Sequence, residues 1–241
     1  MRTLPLLSLL LLPLLAGCLE MDQTITLAAD GSGTQKVKMV IRDATLAEVG
    51  RVGAAVGAAS EATKALFDKE QVGRELEAAG MTLDAHATEH KDRKRTVELQ
   101  ASFKAFAALE ASPLAGTRAE WALAAGPKPG TVKLTLYPQG KASWAAAREK
   151  AESMQTEDDP IAAAFFRKKQ AELSGLDLVV RFQLPGDVLV YTANMEKTGD
   201  REVTARIAAE QIKTPQDLVR RLAPRFEVIF DGKDCKLPLQ P

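Results

Sequence analysis

The chain has 241 residues, 32 Lys+Arg against 32 Asp+Glu, 46% apolar and 5% aromatic residues, two Cys and two His. At about 150 residues per domain this is one or two domains with enough chain to bury a core. Zero net charge argues against nucleic-acid binding, which draws its affinity from basic side chains displacing counterions. Two cysteines exclude a disulfide-dense scaffold, and two histidines leave little for a His-rich metal centre.

Residues 1–17 carry Arg2 and then a leucine run broken by Pro5, Ser8 and Pro13. The apolar stretch from Leu6 to Ala16 is short of the roughly 20 residues a membrane-spanning helix needs, so 1–17 reads as a signal peptide. Leu15-Ala16-Gly17-Cys18 resembles a bacterial lipobox, the pattern at which Cys18 is acylated and becomes the first mature residue. The resemblance implies lipid attachment at Cys18 (palmitate among the acyl chains). The 18–241 domain would then be held by lipid on the extracytoplasmic side. Leu19 in place of Asp after the Cys implies the outer membrane, facing the periplasm, in a Gram-negative host. Each buried CH₂ of the acyl chains contributes about 0.8 kcal/mol, enough together for a stable anchor.

Thr24-Ile25-Thr26-Leu27, the turn Asp30-Gly31-Ser32-Gly33, and Val37, Met39 and Ile41 predict a hairpin over 23–42. From Thr45 the period changes, and Leu46, Val49, Val52, Val56, Ala59 and Leu66 predict a helix, capped by Asp43 or Thr45. Its Gly50, Gly53 and Gly57 would admit a close neighbouring backbone. A second helix over 69–79 ends at Gly80, as a C′ glycine directs. Strands follow at 81–90 and 94–103, joined by the charged run His90 to Arg95. That run is either a solvated hairpin end or a patch for anionic headgroups or another envelope polyanion. A short helical stretch spans 104–110.

In the second half a hairpin of 121–125 and 131–137 is predicted around Gly126 to Gly130, then helices near 141–155 and 159–173. Strands are expected at 176–184, 187–195 and 201–209. A helix starts after Thr214 with Pro215 at its first position, and 226–230 is a final strand. Gly80, Leu83, Ala87, Lys91, Arg95 and Val97 match Gly186, Leu189, Ala193, Lys197, Arg201 and Val203, all 106 positions on. Leu27-Ala28-Ala29 matches Leu123-Ala124-Ala125, and Val37-Lys38-Met39 matches Val132-Lys133-Leu134 at nearly the same offset as that second pair. Either this is chance in an alanine-rich chain, or 22–112 and 118–223 are duplicated hairpin-helix-hairpin units. The expected fold is α+β, with antiparallel sheets covered by helices.

Catalytic motifs were sought against this frame. His86-Ala87-Thr88-Glu89-His90 spells H-x-x-E-H, but a strand rise of 3.3 Å would set the two imidazoles about 13 Å apart, with Glu89 on the opposite face. No metal site is expected. Neither G-x-S-x-G nor S-x-x-K with its companion triplets occurs, and Asp158-Asp159 before Pro160 suits a helix N-terminus. Phe165-Phe166-Arg167-Lys168-Lys169 reads as a core-facing stripe with a wet back, or as a membrane-contacting surface. Cys235, in the polar turn Asp231 to Lys236, is either tucked against the sheet or available to pair between molecules. No catalytic residue and no cofactor is expected.

Several stretches resemble the LppM-like family of bacterial envelope lipoproteins. They are the lipobox at Cys18, Ile25-Thr26-Leu27 with Asp30-Gly31-Ser32-Gly33, Thr96-Val97-Glu98-Leu99 leading into Phe103 to Leu109, and Phe182-Gln183-Leu184-Pro185-Gly186-Asp187-Val188 followed by Val203-Thr204-Ala205. The chain departs from members with a C-terminal transmembrane helix, since Phe226 to Phe230 is too short to span. The resemblance implies a non-enzymatic interaction or ligand-binding module at the membrane surface, with a lipid, glycan or envelope protein as partner. A carrier of a hydrophobic ligand is the alternative, with Ala55, Ala58, Ala59 and Ala162 to Ala164 lining a cavity or allowing tight packing. A hydrolase would require distant acids gathered around a histidine.

Overall fold

The computed structural model describes residues 19–46, 66–116, 118–154 and 160–239. Strand β1 (Leu19–Leu27) begins directly after Cys18 and pairs antiparallel with β2 (Gly33–Arg42). Alternation sets the faces: Gln23, Ile25 and Leu27 with Val37, Met39 and Ile41 point inward, while Glu20, Lys36, Lys38 and Arg42 point outward. Helix α1 (Lys69–Ala78) starts at Asp68, whose carboxylate accepts from the backbone of Glu70 and Gln71, and buries Val72 and Leu76. It ends before Gly80, at φ +78°.

Strands β3 (Met81–Lys91) and β4 (Lys94–Phe103) turn through Asp92 and Arg93, both in the left-handed region as a two-residue I′ turn demands. The charged run is thus an exposed hairpin end. Part of its charge is neutralised there: Asp43 accepts from Arg95 at 2.9 Å and meets His90 at 2.8 Å, and Lys94 lies 3.8 Å from Glu20.

Helix α2 (Phe106–Glu110) leads to the β5 (Glu120–Ala125) and β6 (Thr131–Tyr137) hairpin, and then to α3 (Lys141–Ser153) and α4 (Pro160–Glu172). Strand β7 (Asp177–Gln183) runs parallel to β1, with Ile25 opposite Phe182. Strands β8 (Val188–Tyr191), β9 (Met195–Gly199) and β10 (Glu202–Ala208), helix α5 (Pro215–Leu222) and β11 (Phe226–Asp231) complete the chain.

Among the described residues the strands form a seven-stranded sheet, β3-β4-β2-β1-β7-β10-β9, and a four-stranded sheet, β5-β6-β11-β8. The α+β class holds, with one difference from all-antiparallel sheets. β1 and β7 are parallel because the whole intervening chain acts as their crossover, which lets the strands run the same way.

One continuous core joins both sheets. Trp121 of the smaller sheet sets its ring edge-on to Phe182 of the larger, at 6.2 Å, and to Phe106, at 6.3 Å. Phe182 and Phe230 are fully buried, each contributing about 1.5–3 kcal/mol of hydrophobic stabilisation. A satellite cluster of Leu173, Ile212 and Leu218, with Phe166 against it, seats α4 and α5. Phe166 therefore faces the protein and Arg167 and Lys168 face water.

Three expectations change. The strand predicted over 187–195 is two strands, because the chain turns at Thr192 to Asn194 and passes from the smaller sheet (β8 on β11) to the larger (β9 on β10). The matched halves occupy different places: β4 borders β2, whereas its counterpart β10 borders β7, and the counterpart of β2, β6, lies in the other sheet. Ala163 and Ala164 are exposed. Of the glycine-rich helix only Asp43 to Leu46 is described; Gly50, Gly53, Gly57, Ala55, Ala58 and Ala59 lie outside the described residues, as do Asp158 and Asp159.

Candidate functional site: an arginine-lined cleft beside an exposed strand

Helices α3 and α5 pack against each other beside the β8–β9 turn. The start of α5 is held by a capping box: Asp217 N–H donates to the Thr214 hydroxyl at 3.0 Å, and Thr214 N–H donates to the Asp217 carboxylate at 3.1 Å. The Gln216 amide reaches the Met154 carbonyl, 3.4 Å away, just past the end of α3. After α5, buried Ala223 and Pro224 turn the chain into β11. Across from them, the Asn194 amide donates to the Arg225 carbonyl at 3.0 Å and Thr192 N–H to the Glu227 carbonyl at 2.9 Å.

These elements enclose a cleft of about 500 Å³ whose polar wall is Arg148, Arg220, Arg225, Asn194 and Glu152, with Trp144 as its aromatic wall. A smaller cleft of about 150 Å³ adjoins it, sharing Asn194, Arg220 and Pro224 and reaching Arg206 and Ile207. The three arginines of the larger cleft differ in state. Arg148 donates to Glu152 at 2.8 Å and is neutralised. The Arg225 guanidinium lies 4.7 Å over the Trp144 ring, which holds it by cation–π attraction and leaves its edge N–H groups unused. Arg220 is exposed at the end of α5, and among the described residues neither it nor Arg225 has a carboxylate within 4.0 Å.

Strand β8 runs into this cleft. Val188 is buried, but Leu189, Val190 and Tyr191 are 51%, 57% and 40% exposed, and the next residue, Thr192, lines the cleft. Elsewhere the exposed sheet face is charge-matched, with Lys38 on Glu98 at 2.6 Å, Arg181 on Asp22, and Arg206 on Asp177 at 2.7 Å.

The lining arginines that shift, Arg148 and Arg206, are pushed further up by hydrogen bonds to Glu152 and Asp177, which only secures their charge. Displaced acids lie elsewhere: hydrogen bonds from Arg95 and His90 hold Asp43 low, and those from Gln183 and Thr198 hold Glu202 low. The cleft offers fixed positive charge and an aromatic surface.

The residues singled out from the sequence do not meet here. Cys18 lies outside the described residues, next to Leu19 at the start of β1. His86 and His90 both lie on β3 and have separate partners, the Leu66 carbonyl at 2.8 Å and Asp43. Among the described residues no three His, Cys, Asp or Glu side chains come together as a metal group. Cys235 is a free thiol, partly buried and packed against the main core, the tucked alternative. No described helix is long and apolar enough to cross a membrane. Trp144, Asn194, Arg220 and Arg225 form no linear motif; the one local signal was the Arg220-Arg221 pair in the last turn of a capped helix.

No protein-family model matches the chain, and no curated protein matches it. Among solved structures it is similar to the NMR structure of the folded domain of the Mycobacterium tuberculosis LppM protein, at 12% identity over 88% of this chain and 89% of that chain, with a TM-score of 0.42. The likeness is distant.

Proposed function

We propose that the protein is a non-enzymatic envelope lipoprotein, anchored through Cys18, that works as a ligand-binding or interaction module at the membrane surface. The observation that supports binding is the cleft itself: two arginines that have no carboxylate partner among the described residues, one of them over Trp144, next to a strand with exposed apolar side chains. Such convergent polar groups in a concave site suit recognition. Because β1 starts one residue after Cys18, the anchored body has no spacer and stays at the bilayer surface. A carrier of a hydrophobic ligand fits less well, since the space between the sheets is filled by Trp121, Phe182, Phe230 and Leu123 in one cluster. Expression of the wild-type chain and Cys18→Ala in a bacterial host fed labelled palmitate, followed by membrane fractionation, tests the anchor. Label and membrane association lost only in Cys18→Ala are expected; an unlabelled wild type would refute it.

A further inference from the structure

We infer that the cleft between α3, α5 and the β8–β9 turn is a binding site for a phosphate group, with Arg220 and Arg225 as its cationic donors. This deepens the binding-module reading and rests on it for its setting at the membrane. A phosphate needs several N–H donors around one anion, from groups not already committed to carboxylates. Arg225 meets both conditions: its guanidinium is held over Trp144 at 4.7 Å, so its donors are positioned in advance at little entropic cost. Arg220 supplies the second charge from the last turn of α5, and the Asn194 amide is held beside Arg225 by its bond to the Arg225 carbonyl. Arg148 contributes less, because Glu152 already occupies it.

Placement favours a phosphate borne by an amphiphile. Arg206, in the adjoining smaller cleft, pairs in register with Val179 of β7, which pairs with Asp22 of β1, four residues from Cys18. Two strand spacings, about 10 Å, therefore separate that cleft from the anchored strand. Strand β8, with Leu189, Val190 and Tyr191 exposed, leads directly into Thr192 at the cleft wall.

The test follows tryptophan emission of the detergent-purified full chain during titration with inorganic phosphate at constant ionic strength. Trp121 is buried, so the response reports Trp144. A saturable change is expected with phosphate and none with chloride. Arg220→Gln, at an exposed position that leaves the fold intact, should weaken it about tenfold, the order set by one charge-assisted hydrogen bond. Arg225→Gln should do the same, while Arg201→Gln, which removes a charge paired with Asp187 instead, should change it less than about twofold. No saturable response, or equal loss in Arg201→Gln and Arg220→Gln, would overturn the proposal. Micelles doped with phosphatidylglycerol, against phosphatidylcholine, identify the source. Saturation at lower phosphorus concentration, lost in Tyr191→Ser, supports a lipid headgroup, and equal saturation supports free phosphate in the same site. Anchoring that survives alongside absent phosphate binding sinks the site alone. Phosphate binding by a chain that is never acylated sinks the lipoprotein reading and leaves the site.

Discussion

Gly186 sits where the chain leaves β7 in the larger sheet and enters β8 in the smaller one. A methyl group there would overlap the Asp231 carbonyl oxygen and come 2.8 Å from the Asp231 carbonyl carbon, both backbone atoms at the end of β11. Neither can rotate away, so Gly186→Ala must push the crossover off the smaller sheet. The bonds at risk are Asp231 N–H to the Asp187 carbonyl at 2.9 Å and Val188 N–H to the Asp200 carbonyl at 2.8 Å. At about 1 kcal/mol for each bond lost and about 1–3 kcal/mol for overpacking, the expected loss is roughly 2–5 kcal/mol. For a domain of this size that lowers Tm by about 4–20 °C. Urea unfolding followed by far-UV circular dichroism, read as a shift in midpoint at constant slope, measures it. Gly73→Ala is the control: its methyl would meet only the Leu83 side chain, at 3.7 Å, within α1, so a gain of about 0.5–1 kcal/mol is expected. A Gly186→Ala protein within about 0.5 kcal/mol of wild type would refute the close-approach reasoning.

Asp43 titrates below the ordinary carboxylate range because Arg95 and His90 bond its charged form. Its contribution is therefore present above about pH 4 and is lost as pH falls through its lowered folded value. Urea midpoints of wild type should exceed those of Asp43→Asn at pH 6, and the gap should narrow at pH 3; a constant gap would contradict the linkage. Burial, with Asp234 and Asp231 nearby, pushes the Cys235 thiol up, so it should react with a disulfide reagent several-fold more slowly than a free thiol at pH 8. Asp234→Asn should speed that reaction, and an unchanged rate would remove the charge argument. Thr214→Ala should cost about 1 kcal/mol by breaking the capping box, and Thr214→Ser should restore most of it, both measured by urea unfolding.

Most element boundaries were legible in the sequence because their causes are local. Gly80 ends α1, Thr214 and Pro215 start α5, and the period-two run of Val97, Leu99, Ala101 and Phe103 marks the inward face of β4. Partner choice was not legible. Alternation says which face of a strand is buried but not which edge it offers to which neighbour, so the strand expected over 187–195 was divided between two sheets only by the turn at Thr192 to Asn194. For the same reason matched residues 106 positions apart came to have different neighbours.

The cleft belongs wholly to this second kind of information. Trp144, Asn194, Arg220 and Arg225 come from two helices, a turn and the lead-in to a strand, and only the docking of α3 on α5 brings them together. The sequence by itself determined most of the element list and the α+β class, because propensity, capping and side-chain period act over a few residues. The tertiary structure alone decided the parallel β1–β7 pair, the two-sheet division and the arginine pair on Trp144, because these depend on contacts whose chain separation no local pattern encodes.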